Sequence, residues 1–171
     1  MAIDEGLTRR AVILTAAALV LMTGCRSAKP KGPASMLNLG DPSTASQLLS
    51  GFHAAEGNGW RWTMKKFSVM LQPPPGSEEK GAILRLRMYV QDEHLAKYGP
   101  FNLSADVDGH ALEPFAITKG GDIVYSKVVP AEFLKAPTVR VNFMLDKARP
   151  PDNLDGRELG VVVSLIGLQS R

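Results

Sequence analysis

Apolar and polar side chains alternate along several short stretches of this chain, and this alternation restricts the fold more than any other feature. Between residues 82 and 90, apolar side chains fall on one side of an extended chain and arginines fall on the other. The apolar set is Leu84, Leu86, Met88 and Val90, and the arginines are Arg85 and Arg87. Successive side chains of a strand point to opposite faces of a sheet, so the pattern predicts a half-buried β-strand.

The same period of two recurs along most of the chain after residue 47. It predicts further strands at residues 48–53, 60–63, 67–71, 103–107, 110–117, 123–129, 139–145 and 159–168. Asp108-Gly109 joins two of these strands and favours a tight hairpin, because both central positions of that turn require positive φ. The last stretch is apolar on both faces, which indicates a central strand. Residues 130–134 fit one helical turn, and no longer helical pattern is present.

The number of strands and the length of the patterned region together predict the fold class. About eight to ten short strands with Pro- and Gly-rich connections predict an all-β fold, a single antiparallel β-sandwich of jelly-roll-like form. Residues 47–171 have the usual size of one domain with one core. Residues 25–46 precede it and are predicted to be a flexible linker. The chain has a single cysteine, so an internal disulfide is excluded and the fold depends on its core.

The first 24 residues have the order of segments that is typical of export signals. Arg9 and Arg10 precede an apolar run at residues 11–22, and small residues then lead to Cys25. The run has about 12 residues, whereas a membrane-spanning helix needs about 20. Residues 1–24 are therefore predicted to be a cleaved signal peptide. The general secretory route and the twin-arginine route, which the paired arginines also fit, both stay open.

The segment Leu21-Met22-Thr23-Gly24-Cys25 resembles the lipobox of bacterial lipoproteins. The resemblance implies that the Cys25 thiol receives a diacylglyceryl group, that the chain is cut before it, and that acyl chains such as palmitate hold the protein in a membrane. Two or three acyl chains anchor a protein stably, because each buried methylene contributes about 0.8 kcal/mol. Since Arg26 rather than Asp follows Cys25, similarity to enteric lipoprotein sorting implies the outer membrane of the cell envelope, on its periplasmic or surface face.

Charge and motifs exclude several classes of function. The net charge is +3, and no dense run of Lys and Arg with interleaved aromatic residues favours nucleic acid as a partner. The three histidines, His53, His94 and His110, are scattered, and no metalloprotease, nucleophile-elbow or phosphate-loop motif is present. The sequence therefore predicts no enzyme activity, no cofactor and no metal site.

Two segments combine aromatic and charged residues. The first is Glu56-Gly-Asn-Gly-Trp60-Arg61-Trp62-Thr63, and the second is Asp155-Gly-Arg157-Glu158-Leu-Gly160. Together they resemble motifs of a galactose-binding-like or carbohydrate-module-like β-sandwich domain that occurs attached to bacterial glycosyltransferases and in short secreted proteins. The likeness runs from about Leu49 to Leu168. It implies a sandwich fold and brings no known catalytic residue.

The residues of these two segments allow two interpretations. In an extended strand, Trp60 and Trp62 project from one face about 6.6 Å apart, so they could form a platform on which a sugar ring stacks. Alternatively, both indoles fill the core of the sandwich. The charged residues could bind hydroxyl groups, or Arg61 and Arg157 could pair with Glu158 and Glu56 across neighbouring strands.

These patterns lead to one functional hypothesis and two alternatives. The main hypothesis is a membrane-anchored lipoprotein whose sandwich binds glycan or cell-envelope polysaccharide. The predicted ligand-binding residues are Glu56, Trp60, Arg61, Trp62, Arg157 and Glu158, and the predicted lipidation site is Cys25. The first alternative is a structural or assembly subunit that docks an envelope protein partner, and an enzyme acting on glycans comes third.

Overall fold

The computed structural model describes residues 32–57 and 59–171, and ten β-strands lie within them. The strands are β1 Met36–Asn38, β2 Leu48–Glu56, β3 Trp60–Leu71, β4 Ala82–Val90, β5 Phe101–Val107, β6 His110–Ala111, β7 Phe115–Ile117, β8 Gly121–Val129, β9 Val139–Leu145 and β10 Val162–Ser170. Two short α-helices, α1 Ser77–Lys80 and α2 Asp92–Tyr98, and two 3-10 turns, Pro42–Gln47 and Ala131–Phe133, connect them. The predicted signal peptide and Cys25 lie outside the described residues.

All strand pairs are antiparallel, and the main path through the sheet is β6-β5-β9-β3-β10-β4-β8. In addition, β1 pairs with β10, β2 with β3, and β7 with β5. The sheet curls into two layers because β3 changes its neighbour: residues 66–71 pair with β9, whereas Arg61 and Trp62 pair with β10. The predicted antiparallel β-sandwich is confirmed, and β10 lies in the middle of the sheet as its doubly apolar pattern indicated.

The core lies between the two layers and consists of the inward side chains of each alternating strand. Tyr125 of β8 meets Phe143 of β9 edge to face at 6.3 Å, although the two strands are far apart along the sheet. Phe143 also stacks on Phe67 of β3. Burial raises the pKa of Tyr125 to about 12, because the ionised phenolate would lose its hydration. The contact between Tyr125 and Phe143 shows that the two layers pack face to face.

Helices in the part of the chain that the structure describes are short, and none is long and apolar enough to cross a membrane. The hairpin predicted at Asp108-Gly109 is confirmed, since the φ angles there are 49° and 86°. The Asp106 and Asp108 carboxylates accept hydrogen bonds from the backbone N–H groups of Gly109 and Arg140. The hairpin is thereby fixed against β9.

The structure differs from the sequence expectations in several places. Strand β1 lies inside the segment expected to be a linker, and it pairs with β10 while Leu37 and Leu39 are fully buried. The strands expected at 60–63 and 67–71 form one 12-residue strand, β3.

The strand expected at 110–117 is divided into β6 and β7, because Pro114 between them has no N–H group to donate to a neighbouring strand. Helix α2 was not expected, and helix α1 was not expected either. A three-residue strand and a seven-residue helix are too short for their periodicity to stand out from the sequence.

Candidate functional site

The fold brings the two predicted motifs together at one end of the sandwich. Glu56 ends β2, Trp60 begins β3, and Arg157 lies in the loop before β10. The Arg157 Nη1 group donates a hydrogen bond to Glu56 Oε1 at 2.5 Å. Its Nε and Nη2 groups donate to the two oxygens of Asp155, each at 2.9 Å. The predicted pairing of Arg157 with Glu56 is therefore present.

Within this cluster, the positive charge of Arg157 is paired with the carboxylates of Glu56 and Asp155. Hydrogen bonds to Asp155 and Glu56 raise the pKa of Arg157, and the hydrogen bond from Arg157 lowers the pKa of Asp155. The Arg157, Glu56 and Asp155 side chains are 39%, 36% and 24% exposed, so solvent screens the ion pairs in part. All three guanidinium nitrogens already donate to carboxylates, so only two of the five N–H groups are left for a ligand.

The other predicted pairing, Arg61 with Glu158, is wrong. Arg61 donates instead to the backbone carbonyls of Leu39 and His53, at 3.0 Å each. The Glu158 carboxylate accepts the backbone N–H of Lys65 at 2.7 Å. Lys65 falls between the β3 residues that pair with β10 and those that pair with β9. At Lys65, β3 bends from one layer to the other and pairs with neither β10 nor β9. The Glu158 carboxylate therefore takes the place of a backbone acceptor there.

Trp60 and Trp62 lie outside the hydrophobic core, and both are half-buried. Trp62 pairs with Val162 of β10, which pairs in turn with Tyr89 of β4. Directly opposed residues share one face of a sheet, so these three side chains lie on the outer face of the β10–β4–β8 layer. Trp60 follows the same alternation. Their contact with a ligand stays a prediction.

A groove on the outer face of the other layer was not predicted from the sequence. It has a volume of about 460 Å³ and crosses strands β5, β9, β3 and β2. Its outward side chains belong to Ser50, Lys66, Ser68, Ser104, Asp106, Asn142 and Met144. We call this surface the polar groove.

Strand register arranges the polar groove in rows. Asp106 is opposite Asn142, Asn142 is opposite Ser68, and Ser68 is opposite Ser50. Adjacent strands are about 4.8 Å apart, so these four side chains form a row about 14 Å long across the strands. A second, parallel row contains Ser104, Met144 and Lys66.

Hydrogen bonds hold the first row in place. Asn142 Nδ2 donates to Asp106 Oδ1 at 2.8 Å, and the Ser50 and Ser68 hydroxyls share a hydrogen bond of 2.8 Å. The Asp106 Oδ1 atom also accepts from the backbone of Gly109. Among the described residues, Asp106 Oδ2 and Asn142 Oδ1 accept no hydrogen bond. The row is therefore ordered internally and still offers acceptors to a ligand.

Sequence reasoning missed this groove because each of its residues occupies the outward position of an amphipathic strand. Such positions are normally solvated, and a polar residue there carries no separate signal. The residues become neighbours only through the order β5-β9-β3, which joins strands far apart in sequence.

No family model and no curated protein sequence matches this chain. Among solved structures, a family GH115 4-O-methyl-α-glucuronidase with specificity for decorated arabinogalactans matches with a TM-score of 0.52 and 13% identity, over 82% of this chain and 18% of that one. A family 35 carbohydrate binding module from an environmental isolate matches with a TM-score of 0.50 and 11% identity, over 73% of this chain and 88% of that one. At these identities the likeness concerns the fold. The chain has a β-sandwich fold similar to that of a carbohydrate-binding module, and it spans less than a fifth of the glucuronidase.

Proposed function

We propose that this protein is a lipid-anchored cell-envelope protein whose β-sandwich binds a glycan chain without catalysing a reaction. The observation that carries this proposal is the row of Asp106, Asn142, Ser68 and Ser50 across the polar groove. The polar groove has a volume of about 460 Å³, which lies in the range of ligand-binding clefts.

The chemistry of the groove suits a sugar. Each sugar hydroxyl both donates and accepts, and the groove offers carboxylate and amide oxygens, serine hydroxyls and the Lys66 amine. The Met144 thioether chain adds an adaptable apolar surface for the C–H groups of a ring. The groove crosses several strands, so it favours the interior of an extended chain over a single compact ligand.

The fold comparison supports the same substrate class. One structural neighbour is a carbohydrate binding module, and the other is an enzyme whose specificity is for decorated arabinogalactans. The non-catalytic part of the proposal rests on the likeness to a carbohydrate binding module and on the sequence, in which we recognise no catalytic motif. The predicted likeness to domains attached to glycosyltransferases is kept as part of this proposal.

The membrane anchor is proposed from the N-terminal sequence. We infer that Cys25 carries the lipid, that residues 1–24 are removed, and that the protein faces the periplasm or the cell surface at the outer membrane. Intact-mass analysis of the mature protein tests this, because acyl chains on Cys25 add a defined mass. Cys25→Ser should fractionate as a soluble protein, and a wild-type mass without acyl groups would contradict the anchor.

The predicted set Glu56, Trp60, Arg61, Trp62, Arg157 and Glu158 is kept as a second candidate glycan contact. The polar groove is the stronger of the two, because the charged members of that set already bind each other or the backbone. Docking of an envelope protein partner remains the alternative function. It is favoured by the exposure of Tyr89, Val124 and Val128 on the outer face of the β10–β4–β8 layer.

A glycan array followed by calorimetry tests the proposal. We expect binding to an envelope polysaccharide or oligosaccharide, with the affinity reduced at least about tenfold in Asn142→Ala, which is a loss of about 1.4 kcal/mol. The matched control is Asn153→Ala, which removes an exposed amide outside the groove. An empty array, or equal affinities of the two variants for the array ligand, would overturn the groove as the site.

A further inference from the structure

The outer face of the β10–β4–β8 layer combines arginines with exposed apolar side chains. Arg87 lies between Val124 of β8 and Leu165 of β10, and Arg85 lies in the neighbouring row beside Met36 of β1. Met36, Tyr89, Val124 and Val128 are 38%, 44%, 53% and 51% exposed. Trp62 and Trp60 continue the same face toward β3. We call this surface the arginine face.

Within the part of the chain that the structure describes, the arginines of the arginine face have no acidic partner. Among the described residues, neither Arg85 nor Arg87 forms an ion pair or a side-chain hydrogen bond. The one acidic side chain in the rows of β8 on this face is Asp122, opposite Tyr89. Two free guanidinium groups among aliphatic and aromatic side chains are complementary to a surface that offers phosphate groups beside hydrocarbon.

The position of the tether favours a membrane as that surface. The arginine face contains Met36, and only 11 positions separate Met36 from Cys25. A chain of this length reaches at most about 40 Å, so a lipid on Cys25 would keep the face within reach of the bilayer. A tether replaces a bimolecular encounter by a local one, and weak contacts are then sufficient for docking.

We propose that the arginine face docks on an anionic phospholipid surface, with Arg85 and Arg87 at lipid phosphates and with Tyr89 and Trp62 at the level of the headgroups. This inference rests on the lipid anchor proposed at Cys25. The polar groove lies on the outer face of the opposite layer, so docking turns the groove away from the membrane and toward envelope glycans. Arg and Tyr or Trp side chains have this distribution at membrane interfaces because each combines an apolar body with a polar end.

Quenching of the fluorescence of Trp60 and Trp62 by brominated lipid measures the docking of the arginine face. They are the only tryptophans in the sequence, and both lie on the arginine face. The lipidated protein is incorporated into vesicles that contain phosphatidylglycerol and phosphatidylcholine with brominated acyl chains, which quench tryptophan fluorescence at short range. We expect quenching in these vesicles and at least about fivefold less in Arg85→Glu/Arg87→Glu, since each basic residue contributes roughly a factor of five near an anionic surface.

The matched control is Lys135→Glu/Arg140→Glu, which makes the same change of charge on exposed residues outside both the arginine face and the lining of the polar groove. We expect its quenching to equal that of the wild type. Equal quenching in the two double variants, or absence of quenching in the wild type, overturns the proposal and leaves the arginine face to a protein partner. Vesicles of phosphatidylcholine alone should give weaker quenching than anionic vesicles of the same size.

Failure of the anchor can be distinguished from failure of the docking. The mass of the same sample shows whether Cys25 carries acyl chains. If it does not, Cys25 is the sole thiol of the chain and can be coupled to a maleimide lipid, so the quenching experiment is still carried out on a tethered protein. Quenching that depends on Arg85 and Arg87 supports docking in either case.

Discussion

The polar groove and the cluster around Arg157 are both rich in hydrogen-bonding groups, but they use them differently. In the cluster, Arg157 is bound by Glu56 and Asp155, and Glu158 accepts a backbone N–H group. In the groove, the hydrogen bonds fix Asp106 and Asn142 and still leave an acceptor oxygen on each side chain. A group of charged residues that stands out in sequence can therefore be structural, whereas plain outward residues of adjacent strands can form the better binding surface.

The largest expected effect on stability is that of Glu158→Ala. This change leaves the Lys65 N–H group without its carboxylate acceptor at the bend of β3, which should cost about 1.5–3 kcal/mol of unfolding free energy. Glu158→Gln keeps an acceptor oxygen and should cost less. Chemical denaturation measures both variants. If Glu158→Ala also abolished glycan binding while the protein stayed folded, the separation of cluster and groove would be wrong.

Trp62→Ala should cost about 1–3 kcal/mol, less than the 3–5 kcal/mol typical of a fully buried aromatic residue, because the indole is half-buried on an outer face. Affinity for the glycan should stay within about twofold of the wild type if the groove is the site. A loss of binding as large as that of Asn142→Ala would instead favour the tryptophans as the sugar platform.

Arg157→Ala should lower the free energy of unfolding less than Glu158→Ala does, because all three members of the ion-paired cluster are partly exposed and solvent weakens their attraction. Arg149→Ala is the matched control, since it removes a single exposed pair with Asp152. It should cost less than Arg157→Ala in the same denaturation experiment. A loss of stability larger than that of Glu158→Ala would indicate a buried ionic network rather than a screened one.

The sequence predicts the strands of this fold better than their arrangement. Alternation identifies β4 and β9, since their inward residues Leu84 and Val141 are apolar and fully buried. The Asp108-Gly109 turn is equally clear, because positive φ restricts the residues that fit it. Strand β1 has only Leu37 and Leu39 as its pattern, and that is too short to separate it from a linker.

The candidate sites depend on pairing that local patterns do not contain. Arg157 and Glu56 can be matched by charge, but the partner of Glu158 is a backbone N–H group exposed by the bend of β3. Nothing in the side chains of residues 63–66 signals that bend. The polar groove likewise requires the neighbour order of β5, β9 and β3, which is set by the packing of the whole sandwich.

The smallest expected effect is a dependence on pH that folding stability should show and glycan binding should not. His94 is buried beside Tyr98 and Phe101, and burial, followed by the nearby Lys147 ammonium, lowers its pKa below the ordinary value of 6.5. Below pH 6.5 the unfolded chain therefore binds a proton at His94 more readily than the folded chain does. His94 contributes its full stabilisation above that pH and loses it as the pH falls toward its folded-state pKa. The residues lining the polar groove include no histidine, so glycan binding should not follow this titration.

Thermal unfolding measured from about pH 7.5 to about pH 5 tests this difference. The melting temperature of the wild type should fall more than that of His94→Gln, which has no proton to bind at this position. If glycan affinity fell in parallel with stability in the wild type but not in His94→Gln, the groove would be coupled to the α2 end of the sandwich. If the melting temperature falls with pH while the glycan affinity stays constant, the hydrogen bonds of the groove do not depend on the protonation of His94.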